Sequence, residues 1–515
     1  MARKPNFILA HPAFSRVRTP HFDAMFRVIR RSRCGSINRI FRQYSDSPSA
    51  EPLRVCVVGS GPAGCYAAEK MLKRYETARV DVIDRLATPF GLVRSGVAPD
   101  HPETKIVLNQ FTRVCRHERC SFLGNISLGS SVSLPELQDL YHVVILAYGA
   151  ESDRALGIQG EDLAGIYSAR EFVWWYNGHP DCSDFNPDLK DIEIVVILGQ
   201  GNVALDAARI LLRPTEELSC TDIANHAIVS LRESSVRKVK MAGRRGPAQA
   251  ACTAKELREV LGINDLRINI KESDLVTTPA DEEVLKNDRI RRRVYELLSK
   301  AVASKSSGDN SSQRELEFIF FRKPNMFLDS NDRPGHVSAV QFEKTALRDD
   351  GSGKQMAIGT GEFEDTECQM VLKSIGYKSI SVKGLPFDHR AGVVPNTRGR
   401  VLSDASGNSA VPVEGLYVCG WLKRGPTGII ATNLYCAEET VSSISEDIDR
   451  GVLARSSQKP GTAGLLELLG SRDVRVVPYS GWEKIDAEEK RLGALQNKPR
   501  EKLTTWNELL RVAGA

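Results

Sequence analysis

A chain of 515 residues, 41% hydrophobic and 26% charged, is long enough for two or three domains with sizeable cores, and none of its apolar runs approaches the roughly 18 residues that cross a bilayer. Its formal charge of +5 is uneven: residues 1–44 hold ten Lys or Arg against Asp23, a local +9 that leaves −4 for the body, where nothing asks for nucleic acid. The eleven cysteines include no CxxC pair, the closest two being Cys115 and Cys120, which sets aside zinc, iron–sulfur ligation and a redox-active CxxC disulfide.

The basic leader is rich in Arg, Phe and Ile, as mitochondrial transit peptides are, and Arg42-Gln-Tyr-Ser45 points to processing just after Tyr44. Residues 1–44 are therefore expected to be a transit peptide and the mature protein to be soluble in the matrix, with peripheral inner-membrane contact left open. The apolar run Arg54-Val-Cys-Val-Val58 then predicts a strand and Cys65 to Lys73 a helix, joined by Gly59-Ser-Gly-Pro-Ala-Gly64. Gly59, Gly61 and Gly64 let backbone approach a pyrophosphate that the helix N-terminus holds. The next strand, Arg79-Val-Asp-Val-Ile83, ends in Asp84, about twenty residues on, where a carboxylate bonds ribose hydroxyls and repels a 2′-phosphate. This first site suits FAD or NAD and not NADP.

The pattern recurs at Ile192 to Leu198, Gly199-Gln-Gly-Asn-Val-Ala204 and the helical stretch Leu205 to Leu212. Here the following strand, Val236 to Met241, ends in Gly243-Arg-Arg-Gly246, so Arg244 and Arg245 replace the acid, and guanidinium forks match a 2′-phosphate. This second site suits NADP. Ala303 to Arg314 reads as an exposed loop before a strand at Leu316 to Phe321, and Arg348 to Thr360 as a turn-rich link between antiparallel strands. Further on, Gly415 to Gly420 reads as a strand entering a glycine turn, and Thr427 to Asn433 opens another helix.

Strands alternating with helices predict an α/β fold of two doubly wound, Rossmann-like dinucleotide-binding domains, with parallel sheets and helices on both faces. The NADP domain (153–377) is expected to be inserted into a discontinuous FAD domain (50–152 and 378–515).

The segment Pro89-Phe-Gly-Leu-Val-Arg94 and its continuation Gly96-Val-Ala-Pro-Asp-His-Pro-Glu103 closely resemble the adrenodoxin reductase family. The resemblance recurs at Tyr148-Gly-Ala150, Gly199 to Asp206, Gly243 to Pro247, Lys255-Glu-Leu-Arg258, Gly420 to Gly428 and Lys498-Pro-Arg-Glu-Lys502, so it covers nearly everything but the leader. It implies that FAD lies against Ala63, Asp84 (where the family commonly has glutamate), Leu92, Leu128, Trp421 and the helix start Gly428, Ile429 and Ile430. It implies NADP contacts at Gly199, Gln200, Gly201, Asn202, Arg244, Arg245 and Glu256, with Gly428 near the nicotinamide. His101 and Asp206 are the expected proton-handling groups, and no metal is expected.

The implied activity is NADPH:ferredoxin oxidoreduction, by hydride transfer to FAD and then single electrons to a small acidic mitochondrial [2Fe–2S] ferredoxin. Arg258 with Lys286, Arg289, Arg291, Arg292 and Arg293 is the expected basic docking face. An FAD/NADPH monooxygenase and a non-catalytic NADP sensor remain open as alternatives. The small subunit of glutamate synthase shares the two-nucleotide architecture but needs cysteine-clustered segments that this chain lacks.

Overall fold

The computed structural model describes residues 52–303, 314–349, 355–404, 410–453 and 458–515; the leader 1–44 and most of the polar stretch 303–314 lie outside them. In spatial order the first sheet runs Asn396–Thr397, Arg400–Leu402, Pro412–Val418, Val143–Leu146, Arg54–Val58, Arg79–Ile83, Cys120–Gly124 and Val477–Pro478. The strands from Pro412–Val418 through Cys120–Gly124 pair in parallel, and the pairings at both edges are antiparallel.

Its central strands are apolar throughout because both faces are covered. Val55, Val57, Val80, Val82 and Ile145 point into a core shared with helices Pro62–Arg74 and Thr432–Asp449, whereas Cys56, Val58, Ile83, Val144 and Leu146 point into one shared with Leu134, Leu137, Leu465 and Leu469.

The second sheet is parallel throughout, in the order Ile166–Ser168, Met370–Lys373, Ile194–Leu198, Lys238–Ala242, Arg314–Ile319 and Leu266–Ile270. One face carries helices, including Asn202–Leu212 and Ala254–Leu261. The other departs from the expectation of helices on both faces. Val196, Leu198 and Val371 pack against Phe327, Val337, Val340 and Phe342 of a three-stranded antiparallel sheet, Arg322–Asp329, Val337–Asp349 and Gln355–Glu367. An apolar sheet face needs only an apolar cover, and alternating side chains on these strands supply it. The strands also extend further into the stretch 348–360 than its turn-rich composition suggested.

The chain passes between the two parallel sheets twice, and the passages pair with each other: Ser152–Asp153 lies antiparallel to Tyr377–Lys378. Strand Pro412–Val418 then rejoins the first sheet beside Val143–Leu146.

Each fingerprint turn depends on glycine for close packing. A Cβ on Gly64 would lie 1.8 Å from the Gly59 carbonyl oxygen, and Gly59 itself has φ +105°. Gly64→Ala is expected to destabilise the protein by about 1–3 kcal/mol, read as a lowered urea midpoint at unchanged slope.

Candidate functional site

Helix Pro62–Arg74 is entered through Gly61 and helix Asn202–Leu212 through Gly201; neither has a side-chain cap or an acid in its first turn. Their leading N–H groups are thus left for an anion. A Cβ on Gly59, Gly64 or Gly199 would strike backbone, but one on Gly61 or Gly201 would meet nothing within 4 Å. The open side of each turn is the side that a pyrophosphate needs, so both cradles fit a dinucleotide.

Around the first cradle, Asp84 Oδ2 accepts from the Ser60 N–H (2.8 Å) and hydroxyl (2.5 Å), and Oδ1 accepts from the Leu86 N–H (2.9 Å). These bonds hold the carboxylate beside the glycine turn with a lone pair still available on Oδ1. Gly91, at φ +48°, lies beside Gly61, where a Cβ on it would come 3.0 Å from the Gly61 α-carbon, and the half-buried Leu92 opens the short helix that follows. Leu128 packs half-buried against the core that contains Val58 and Leu146.

The C-terminal segment closes on the same cradle. A Cβ on Gly420 would lie 2.5 Å from that of Ala63, which seats Gly420 and Trp421 directly over the fingerprint helix. The Trp421 ring stacks on Tyr377 with centroids 6.0 Å apart, and its buried indole N–H has no partner among the described residues. That orphaned donor fits a ligand acceptor. Gly428 and Ile429 are exposed on the turn ahead of helix Thr432–Asp449, while Ile430 packs inward against the first core.

At the second cradle, Gln200 lies against Gly243, where a Cβ would be 2.4 Å from its Oε1, and it donates to the Ile319 carbonyl. Asn202 Oδ1 accepts from the Thr253 N–H at 2.8 Å, tying this helix to Ala254–Leu261, which carries Glu256 and Arg258. Neither the exposed Arg244 nor the half-buried Arg245 forms an ion pair among the described residues. Burial, then the charges of Arg244 and Arg291, push the Arg245 pKa down, as expected of cations gathered without a counter-anion.

His101, Asp206 and Glu256 come together, their ligand-type atoms all within 4.8 Å of one another. Two residues that the sequence reading missed organise them. Glu259 Oε2 lies 2.5 Å from His101 Nε2, closer than Glu256 at 3.5 Å. Arg209, at 0% side-chain exposure, donates to Asp206 (2.9 Å) and to both oxygens of Asp100 (2.6 and 3.0 Å). Its Nη1 is 3.7 Å from Glu256 and 3.9 Å from Glu259, so a guanidinium already supplies the positive charge inside this carboxylate cluster. The available signal was helical spacing: Arg209 follows Asp206, and Glu259 follows Glu256, by three residues.

Burial pushes the Asp206 carboxyl up to about 6, against the pull of Arg209. Asp100 is held below its usual range: burial would raise it, but the Arg209 hydrogen bond and charge prevail.

The basic residues expected to receive a partner are exposed on helices Ala254–Leu261 (Arg258), Pro279–Asn287 (Lys286) and Arg289–Ala303, the last of which packs against the other two. Arg291 approaches Asp288 at 3.4 Å and Arg293 approaches Glu296 at 3.1 Å, whereas Arg258, Arg289 and Arg292 form no ion pair among the described residues.

Because the folded protein holds the Asp206 proton more tightly than the unfolded chain does, this group's contribution to stability falls as pH rises from roughly 4 to about 6. The fall amounts to roughly 3 kcal/mol. Asp206→Asn should remove that slope, measured as urea midpoints across the window.

Residues 53–242 match the family described as pyridine nucleotide-disulphide oxidoreductase. The mitochondrial NADPH:adrenodoxin oxidoreductase of Arabidopsis thaliana is 67% identical over 472 residues, covering 92% of this chain and 97% of that protein. The Homo sapiens protein of the same name is 45% identical, over 90% of this chain and 92% of its own. The solved structure of Mycobacterium tuberculosis FprA in complex with NADPH superposes with a TM-score of 0.82 at 36% identity, over 90% of this chain and 100% of that one. The resemblance read from the motifs is borne out, and the chain belongs to the NADPH:adrenodoxin oxidoreductase family.

Proposed function

We infer that this protein takes electrons from NADPH, by hydride transfer to FAD, and passes them singly to a mitochondrial [2Fe–2S] ferredoxin. The observation that carries this reading is a pair of glycine cradles with opposite second elements, Asp84 at one and the unpaired Arg244 and Arg245 at the other. FAD supplies the conversion between a two-electron hydride donor and a one-electron acceptor.

The chain's residues supply position, shielding and proton handling. Gly59, Gly61 and Gly64 bring backbone N–H groups to the FAD pyrophosphate, Asp84 holds the ribose, and Trp421 with Tyr377 walls the ring from water. Gly199, Gln200, Gly201 and Asn202 receive the NADPH pyrophosphate, and Arg244 and Arg245 clamp its 2′-phosphate. Residues 50–152 and 378–515 then form the FAD-binding part and 153–377 the inserted NADP-binding part, joined at the ribbon Ser152–Asp153 with Tyr377–Lys378.

His101, held by Glu259, and Asp206, poised at about 6, take up and release the proton that accompanies stepwise electron departure. Arg258 and the arginines of helix Arg289–Ala303 receive the acidic partner. The names of the relatives and the basic leader support a mitochondrial matrix location.

Anaerobic NADPH titration of the leader-free protein tests the reading. Bound FAD should bleach, and added ferredoxin should then reduce cytochrome c. Arg244→Ala with Arg245→Ala should raise the NADPH concentration required by about 10- to 1000-fold while leaving the response to NADH unchanged. A preparation that binds no flavin would refute the proposal.

Charge reversal at Arg289 and Arg292 should slow ferredoxin reduction at low salt by about tenfold or more and flatten its salt dependence. NADPH-driven reduction of an artificial acceptor should persist; equal loss of both activities would point to a folding defect.

A further inference from the structure

The antiparallel sheet that covers the second parallel sheet also reaches the turn that carries Arg244 and Arg245. Successive carbonyls of that turn are held by Arg322 and Thr345 of the cover and by Phe321 just ahead of it. Gly243 accepts from the Arg322 N–H at 2.9 Å, Arg244 from the Thr345 hydroxyl at 2.8 Å and Arg245 from the Phe321 N–H at 3.3 Å. The Thr345 N–H closes the circuit by donating to the Phe321 carbonyl at 3.0 Å.

Thr345 is 7% exposed and stands where strand Val337–Asp349 shifts register against Gln355–Glu367, an irregularity of the kind that re-aims a side chain. Phe321 sits at φ +54°, a backbone state that a bulky residue keeps only where its surroundings hold it. Its ring lies against Gly246, where a Cβ would come 2.5 Å from the ring Cζ. The downstream end of the turn is tied as well: Gln249 Nε2 donates to Gln355 Oε1 of the third strand and to Asp281 Oδ1, both at 2.5 Å.

We propose that Thr345 and Phe321 are positioning residues that fix the Arg244–Arg245 turn for a 2′-phosphate, which makes the antiparallel cover the element that sets the preference for NADPH over NADH. The inference rests on the reading of Arg244 and Arg245 as the 2′-phosphate clamp. Neighbouring guanidiniums repel each other until an anion arrives, so a turn left free would spread them, and part of the binding energy would be lost in drawing them back. Anchored carbonyls remove that cost in advance. All of these anchors hold backbone and leave both guanidiniums for the ligand.

The test titrates the FAD-loaded, leader-free protein calorimetrically with 2′,5′-ADP, which carries the 2′-phosphate, and with 5′-ADP, which lacks it. Thr345→Val removes the hydroxyl at nearly constant shape and should weaken 2′,5′-ADP by about 2- to 10-fold with 5′-ADP bound as before, whereas Thr345→Ser should stay near wild type. The KM for NADPH should rise by a similar factor and that for NADH should not. The inference is overturned if Thr345→Val binds 2′,5′-ADP as wild type does, if both nucleotides weaken alike, or if Thr345→Ser fails as badly as Thr345→Val. Arg244→Ala with Arg245→Ala in the same titration separates the two levels: loss there with none in Thr345→Val sinks only the positioning role, and no loss in either sinks the clamp as well. Should Thr345→Val fold poorly, hydrogen exchange of the wild type decides. The Phe321 amide should then slow more with 2′,5′-ADP than with 5′-ADP, and equal slowing overturns the inference.

Discussion

A guanidinium removed from water has to be neutralised, and Arg209 is where this protein meets that demand. Its bonds to Asp100 and Asp206, with Glu256 and Glu259 just beyond, draw three separate stretches of chain to one point: the loop after Ser95, helix Asn202–Leu212 and helix Ala254–Leu261. The first belongs to the half of the chain that builds the first sheet, the others to the second. Breaking a buried pair of this kind costs about 3–5 kcal/mol, because a charge is left uncompensated. The same constraint seats His101 against Glu259 and keeps Asp206 where burial raises its pKa. The tie between the two halves and the proposed proton-handling site are thus one construction.

The C-terminal strap repeats the principle on another side. Lys498 donates to the Ile223 carbonyl and Glu501, Glu501 accepts from the Asn225 N–H, and Lys502 donates to the Arg94 carbonyl and Asn177. Arg94 in turn binds the buried Glu489, which Arg500 also reaches. Burial brings the Lys502 amine down to about 7, assisted by Lys105 and Arg94 and opposed by Asp222. The motif Lys498-Pro-Arg-Glu-Lys502 earns its place by joining elements of both sheets, not by contacting a fingerprint turn.

How legible each feature was in the sequence follows from how local it is. A strand, a glycine turn and a helix N-terminus occupy one continuous stretch, so both cradles were readable, as were the second elements at Asp84 and Arg244–Arg245. The antiparallel cover on the second sheet was not. It depends on which apolar faces meet, and periodicity reveals only that a face exists. Glu259 and Arg209 sat in plain helical register with recognised residues, but nothing local shows that Asp100 turns toward them.

The amino-acid sequence by itself determined the two glycine turns, the opposite charges that follow them at Asp84 and at Arg244–Arg245, and the parallel α/β plan, because each rests on backbone geometry and charge within a few neighbouring residues. Only the tertiary structure decided which carboxylate holds His101, which charges neutralise Arg209 and what covers the second sheet. Those outcomes depend on burial, which desolvates a group and selects its partner only after distant segments have packed together.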